Sequence, residues 1–367
     1  MRVLIIGGLS DEKFLSKTNP IVDNQKISRI YIFRAFGNIY SNNAKVLTAP
    51  FLTNIDSHSK GLKRIVFDTW SNVYFLSLLL IGKIDVVVGI YLYPYGFYAS
   101  ILSRIARKPY ILVLPGSDLK KLIESKKYLK IFESANYFAV RGTYSKHSLM
   151  QLGINESKLF ILHNVFEISR FTINISIPKI YDFIFVGYLR VLKRLDRLVQ
   201  IVFELKKTRP NVSCVIVGDG PEKEKIQKMV IELNLTANVI IIPFSNNIPN
   251  FLAKSKIFIL TSDSEGLPMA IIEAMSCGLP VISSNVNDIP DIIKHGVNGF
   301  LIDPNNTQDF IKACNKLLDN KTLCMEMGTN ARLSIEQMFK TDFSEDAQQE
   351  CWFKFLNATK KKNEGTD

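Results

Sequence analysis

Cysteine and histidine are scarce. The chain carries five cysteines (Cys214, Cys277, Cys314, Cys324 and Cys351), all in its second half and with no CxxC pair, and four scattered histidines (His58, His147, His163 and His295). That excludes a disulfide-stapled scaffold and a zinc site of recognisable spacing. It fits reduced thiols, mostly core residues, in a cytosolic protein. Long apolar runs are also missing: the longest, Val73 to Gly82, is interrupted by Ser77 and stops at Lys83, whereas a membrane span needs about 20 apolar residues. The opening residues MRVLIIGG have neither the basic start nor the small-residue cleavage site of a leader. The expectation is therefore a cytoplasmic protein with no integral membrane segment. No solenoid-length repeat and no long polar tract is visible, which rules out collagen, coiled coil and global disorder.

What is present is ample core material. Of 367 residues, 47% are apolar, enough for two domains of ordinary size. Acidic residues are thin in the first half: residues 1–165 hold 22 Lys and Arg against 10 Asp and Glu, while residues 166–367 hold 24 of each. The whole surplus of +12 sits in the first half, which points that half toward an anionic surface or substrate.

Short β-branched runs alternate with amphipathic stretches along the chain. In the first half the runs are Val3–Gly7, Ser28–Phe33, Asp85–Ile90, Tyr110–Leu114, Tyr137–Val140 and Leu159–Leu162, with helix-like stretches at Gly96–Arg107 and Thr143–Leu152. In the second half they are Asp182–Tyr188, Ser213–Val217, Val239–Pro243, Lys256–Thr261, Pro280–Ser284 and Gly299–Asp303. Leu195, Leu198, Val199, Val202 and Phe203 repeat with helical period. Strand–helix alternation in both halves predicts an α/β fold of two Rossmann-like, doubly wound parallel sheets facing across a cleft. The boundary falls in the aperiodic stretch Val165–Lys179. This places an N-terminal domain at 1–167 and a second at 168–342, with a helix at 343–358 crossing back to the first domain and a disordered tail at 359–367.

In such sheets ligands bind beyond the carboxyl ends of the strands, and three motifs fall there. In Thr261-Ser-Asp-Ser-Glu-Gly-Leu-Pro-Met-Ala-Ile-Ile-Glu273 a strand ends, Pro268 opens a helix and Gly278 closes it. Glu265 and Glu273 form an E-x7-E pair, and the Gly266 and Leu267 amides with the helix N-terminus offer donors to an anion such as a phosphate. The spacing alone is weak, because Glu224 and Glu232 repeat it among 16 glutamates; those two read as a solvated pair on one polar-faced helix. Asp263-x-Glu265 is open to a second reading, a metal-binding carboxylate pair, though no further ligand is in view. In the second motif, Phe185-Val-Gly-Tyr-Leu-Arg-Val-Leu-Lys-Arg194, four cations (Arg190, Lys193, Arg194 and Arg197) crowd a helix start, where they oppose the macrodipole by roughly 0.3–1 kcal/mol each. An anionic ligand reverses that sign. Lys193 and Arg190 are the expected phosphate ligands, and Arg194 and Arg197 are expected in solvent. The third motif is the glycine turn Val217-Gly-Asp-Gly-Pro-Glu222 on the same sheet edge, with Gly218 and Gly220. The Pro243-Phe-Ser-Asn-Asn247 loop beside it, with Phe244, reads equally as a base-flanking segment or a plain connection.

Together these residues resemble the nucleotide-sugar-binding domain of glycosyltransferase family 4, retaining enzymes of the GT-B architecture. The resemblance spans nearly the whole chain and is specific from about Phe183 to Asp303. It implies that Glu265 contacts the donor sugar, Glu273 the ribose hydroxyls, Gly266 and Leu267 the sugar and diphosphate, and Lys193 the phosphates. Gly187, Gly218, Gly220, Phe244 and Pro268 complete the donor side. The family's arginine after Gly187 is Tyr188 here, with Arg190 as the expected substitute. In the first half LPGSDL resembles the family's strand-end loop with Pro115 in place of its histidine, Asn164 in LHNVFEISRF matches the end of the first domain, and Gly7, Gly8, Gly116 and Asp118 fall on the acceptor side. The implied reaction moves a sugar, by default from a UDP-sugar, to a lipid-linked or polysaccharide acceptor of cell-envelope, capsule or lipopolysaccharide assembly. Lys193, Arg190 and the helix N-terminus at Pro268 stabilise the leaving diphosphate, Glu265 is the third catalytic candidate through its contact with the donor sugar, and neither an essential metal nor a cofactor is required.

The stretch Leu119–Lys130 can form a helix with Leu119, Leu122, Ile123 and Leu129 on one side and Lys120, Lys121, Lys126, Lys127 and Lys130 around it. That suits an anionic membrane surface, hence a protein peripheral on the inner face of the cytoplasmic membrane; it suits equally an ordinary surface helix. Two further readings keep the fold: a nucleotide-sugar epimerase, and a non-catalytic nucleotide-sugar binder. Nucleic-acid binding has no motif to support it.

Overall fold

The computed structural model describes residues 1–7, 20–22, 25–34, 45–48, 62–125, 132–174 and 176–361. The chain divides into two compact units, Met1–Phe166 with Asp342–Asp367, and Glu167–Thr341.

In the first unit β1 (Arg2–Gly7), β2 (Arg29–Arg34), β3 (Val46–Thr48), β4 (Val86–Ile90), β5 (Tyr110–Val113), β6 (Tyr137–Val140) and β7 (Leu159–Ile161) form a parallel sheet in the order β3-β2-β1-β4-β5-β6-β7. The central strands read VVVGI and YILV without polar alternation because both faces of the sheet are covered. Successive residues of β1 face opposite sides. Leu4 and Ile6 pack with Phe75 and Leu79 of the helix Leu62–Leu80 and with Ala99 and Leu102 of the helix Phe97–Ala106. Val3 and Ile5 pack on the other side with Trp352, Phe355 and Leu356 of the terminal helix Glu345–Lys361. That helix runs past the expected start of a disordered tail: Thr359 lies within it, buried, with its hydroxyl donating to the Leu356 carbonyl at 2.6 Å. The sequence pattern did not announce β3, only three residues long, or the helix Leu62–Leu80, whose apolar residues run almost all the way round.

In the second unit β8 (Tyr181–Val186), β9 (Cys214–Val217), β10 (Val239–Ile242), β11 (Ser255–Leu260), β12 (Val281–Ser284) and β13 (Gly299–Ile302) form a parallel sheet ordered β10-β9-β8-β11-β12-β13. The helix Leu195–Lys206 buries Leu195, Leu198, Val199 and Val202 against it, the stripe its periodicity predicts. The expected class, α/β with two Rossmann-like parallel sheets, is therefore the observed one. Cys214, Cys277 and Cys314 are core residues; burial pushes the Cys214 and Cys277 thiols up to about 12, which leaves them inert. The order of the second sheet reverses between β8 and β11, and a ligand crevice opens beyond the carboxyl ends at such a reversal.

Candidate active site

The reversal sets the segment after β8 beside the segment after β11. Lys193, in a single 3-10 turn (Val191–Lys193), donates from Nζ to Glu265 Oε1 at 2.5 Å. The same oxygen accepts the Ser262 hydroxyl at 2.6 Å. Lys193 and Glu265 are only 20% and 10% exposed, so solvent screens their attraction weakly. An ammonium has three donors, and Glu265 occupies one of them, leaving two for an anion. One backbone and one side-chain hydrogen bond hold the two segments together: Asp263 N donates to the Leu192 carbonyl at 2.9 Å, and Thr261 Oγ1 donates to the Arg194 carbonyl at 2.9 Å. From the next strand end, Asn287 Nδ2 donates to the Glu265 carbonyl at 2.7 Å and to Ser264 Oγ at 3.1 Å.

Two of the four cations expected at this helix start do other work than expected. Arg197 is buried, not solvated. Its guanidinium donates to the Thr261 carbonyl at 2.5 Å and to Asp263 at 2.9 Å. Arg194, at φ 50°, pairs with Asp196 at 3.0 Å and Asp263 at 3.1 Å. The protein's own carboxylates answer these charges, and Asp263 is spent on two arginines. Lys193 is answered likewise by Glu265, so the argument from uncompensated charge to an anionic ligand reduces to Arg190, with Lys193 contributing its two remaining donors. Arg190 is exposed, with its guanidinium 5.0 Å from the ring centroid of Tyr188, the residue after Gly187.

Glu273 lies in the second turn of the helix Met269–Ser276 and makes no hydrogen bond among the described residues. Burial pushes its carboxyl up to about 7, against a smaller opposing pull from Arg170. Pro268 caps that helix without a side-chain bond, and Gly266 and Leu267 lead into it half-buried, so their two amides lie between Glu265 and the helix start. Glu224 and Glu232, at the same spacing, are both exposed on the helix Lys223–Glu232. Environment separates the two pairs where spacing does not.

Gly218 and Gly220 have a packing reason to be glycine. A Cβ on Gly218 would lie 1.9 Å from the Gly187 carbonyl oxygen, and one on Gly220 2.5 Å from that of Leu189. The turn after β9 closes onto the segment after β8, with Leu189 N donating to the Asp219 carbonyl at 2.8 Å. Phe244, after β10, is 72% exposed.

In the first unit Gly7 ends β1, and Gly116 stands at φ 47° before the helix Ser117–Glu124. Asp118 is buried and accepts Leu92 N at 2.8 Å, so it fastens the turn after β4. Gly8, Lys126, Lys127 and Lys130 lie outside the described residues; Lys120 and Lys121 belong to the helix Ser117–Glu124, which buries Leu119 and Leu122 and leaves Ile123 exposed. Sequence reasoning missed Ser262, Asn287 and the buried Arg141, and it placed Arg197 in solvent where the structure buries it. Arg141, at the end of β6, donates to the Leu162 carbonyl at 2.5 Å. No sequence signal separates these arginines from surface ones.

Two doubly wound parallel sheets define the class as α/β, with a lysine–carboxylate pair at the switch point of the second. Residues 172–334, most of the second unit, match the family described as glycosyl transferases group 1. Among curated relatives, the chain is 34% identical over 152 residues to an uncharacterised glycosyltransferase of Haemophilus influenzae, covering 41% of this chain and 43% of that one. It is 38% identical over 131 residues to the UDP-Gal:alpha-D-GlcNAc-diphosphoundecaprenol alpha-1,3-galactosyltransferase of Escherichia coli, covering 35% and 34%. The chain spans between a third and a half of the length of these relatives. Among solved structures, Anabaena HepE in complex with UDP and glucose superposes with a TM-score of 0.76 at 18% identity, covering 98% of this chain and all of that one, a likeness of fold.

Proposed function

We propose that this chain is a retaining glycosyltransferase that moves a hexosyl group from a UDP-sugar to a lipid-linked or saccharide acceptor of the cell envelope. The observation that carries the reading is the Lys193–Glu265 pair at the β8–β11 switch point, set against the uncapped start of the helix Met269–Ser276. Breaking the bond between the anomeric carbon and the diphosphate leaves negative charge on the departing oxygen. Lys193, held by Glu265, and the amides following Glu265 are fixed donors for that charge, present before the reaction starts, and the exposed Arg190 adds a further cation. Glu265 holds Lys193 in place and contacts the donor sugar. Glu273 takes the ribose hydroxyls, and Phe244 offers a face to the base. The sheet edge of the first unit, with Gly7, Gly116 and Asp118, serves the acceptor. A UDP-sugar follows from the ligands named for HepE and for the Escherichia coli relative, and the envelope acceptor follows from the latter's name.

The test is a melting-temperature titration with UDP, GDP, ADP and their sugars, since a ligand stabilises by RT ln(1 + [L]/Kd). UDP and one UDP-sugar should raise the transition, and Glu273→Ala should abolish the rise. No shift with any nucleotide would overturn the reading. With a donor in hand, the anomeric configuration of the product, read by NMR, checks retention.

A further inference from the structure

We propose that the outer face of the first unit formed by the helices Leu62–Leu80 and Phe97–Ala106 docks on an anionic lipid bilayer. Both helices pack on the same side of the first sheet, and Tyr98 Oη donates to Asp68 at 3.2 Å between them. From Thr69 onward most of their outward positions are apolar where solvent-facing helices carry charge. Trp70, Val73, Leu80, Ile81, Ile101 and Ile105 are each between 40% and 65% exposed, and no charged residue occurs from Thr69 to Gly82. Apolar surface grouped in this way marks an interaction site. The group is continuous at its lower end: Lys83 leads into β4 and Lys108 into the neighbouring β5, where Val87 N donates to the Pro109 carbonyl at 2.9 Å.

Charge selects the occupant. Between Thr69 and Ser117 the sole acidic residue is Asp85, held by Arg2 at 2.7 Å. Lys83, Arg104 and Arg107 are exposed and make no ion pair among the described residues. A second copy meeting this face through a two-fold axis would set these cations against their own kind. Anionic headgroups neutralise them while the aliphatic side chains and the indole enter the interface, the position that tryptophan favours. Lys120 and Lys121 belong to another helix, Ser117–Glu124. The proposal stands on exposure and charge, independently of the transferase reading.

The test is co-sedimentation of the full chain with phosphatidylcholine vesicles, with and without phosphatidylglycerol, followed by tryptophan emission. Trp352 is 2% exposed, so a blue shift on binding reports Trp70. Binding should require phosphatidylglycerol and weaken with salt, and Arg104→Glu with Ile105→Glu should reduce it about tenfold or more. The UDP-induced melting shift of that variant serves as the control for an intact fold and nucleotide site. Three results would overturn the proposal: no binding to anionic vesicles, binding without a Trp70 shift that Lys126→Glu and Lys127→Glu abolish, or a light-scattering dimer that the Arg104/Ile105 variant dissociates.

Discussion

At the scale of single residues the proposed chemistry rests on two acidic side chains in opposite states. Glu265 is ion-paired and accepts two hydrogen bonds, from Lys193 and Ser262; Glu273 makes none and is held near neutrality by burial. Replacing Lys193 by Ala removes a preorganised donor, so turnover should fall about 10²–10³-fold, by more than UDP affinity falls; steady-state kinetics beside the melting titration separates the two. For Glu273 the sign follows from linkage. Its folded carboxyl holds its proton up to about pH 7, whereas the unfolded chain releases it near the ordinary value of 4.5. Its contribution to stability is therefore fully present below 4.5 and is lost as pH rises to about 7. Denaturant titrations across that window should show Glu273→Gln without this decline. On the proposed ribose contact, which uses the carboxylate, UDP affinity in the parent should rise through the same window by more than it does in the variant, where only the ligand's own phosphate titrates.

At the scale of elements the site is a set of loops locked by backbone. The segments after β8, β9 and β11 are joined by the Leu189–Asp219, Asp263–Leu192 and Thr261–Arg194 hydrogen bonds and by the buried Arg197 guanidinium. Gly218→Ala inserts a methyl where the Gly187 carbonyl sits and should cost roughly 1–3 kcal/mol, with a loss of nucleotide-induced stabilisation. Gly153, also at positive φ but with open space around its Cβ position, should cost about 1 kcal/mol on change to Ala and leave nucleotide binding intact. Urea titrations of the two variants give the comparison. Glycine reads as a phosphate-cradle residue in the Gly-Asp-Gly turn, yet its visible duty is to let two loops touch.

At the scale of the whole molecule the chain leaves the first unit at Phe166 and returns to it at Asp342. The returning helix completes a core: the Phe355 ring lies 4.0 Å from that of Phe160, and Trp352 is buried with Val3 and Ile5. Trp352→Ala should cost roughly 3–5 kcal/mol. It should lower the calorimetric transition of the first unit while the transition that UDP raises stays in place.

Much of this was legible before any coordinates. The strand runs, the buried stripe of the helix Leu195–Lys206, and the α/β class follow from local periodicity, which records which faces each segment must bury. The candidates Lys193, Glu265 and Glu273 came from their places at strand ends and helix starts and from a family resemblance. Partnership was not legible. That Arg197 is buried on Asp263 while Arg190 stays in solvent, that Glu265 is paired with Lys193 while burial holds Glu273 near neutrality, and that Trp70 and Ile105 face outward are decided only when segments distant in sequence meet. Burial and the nearness of an opposite charge are properties of that meeting, and no single stretch of the chain contains them.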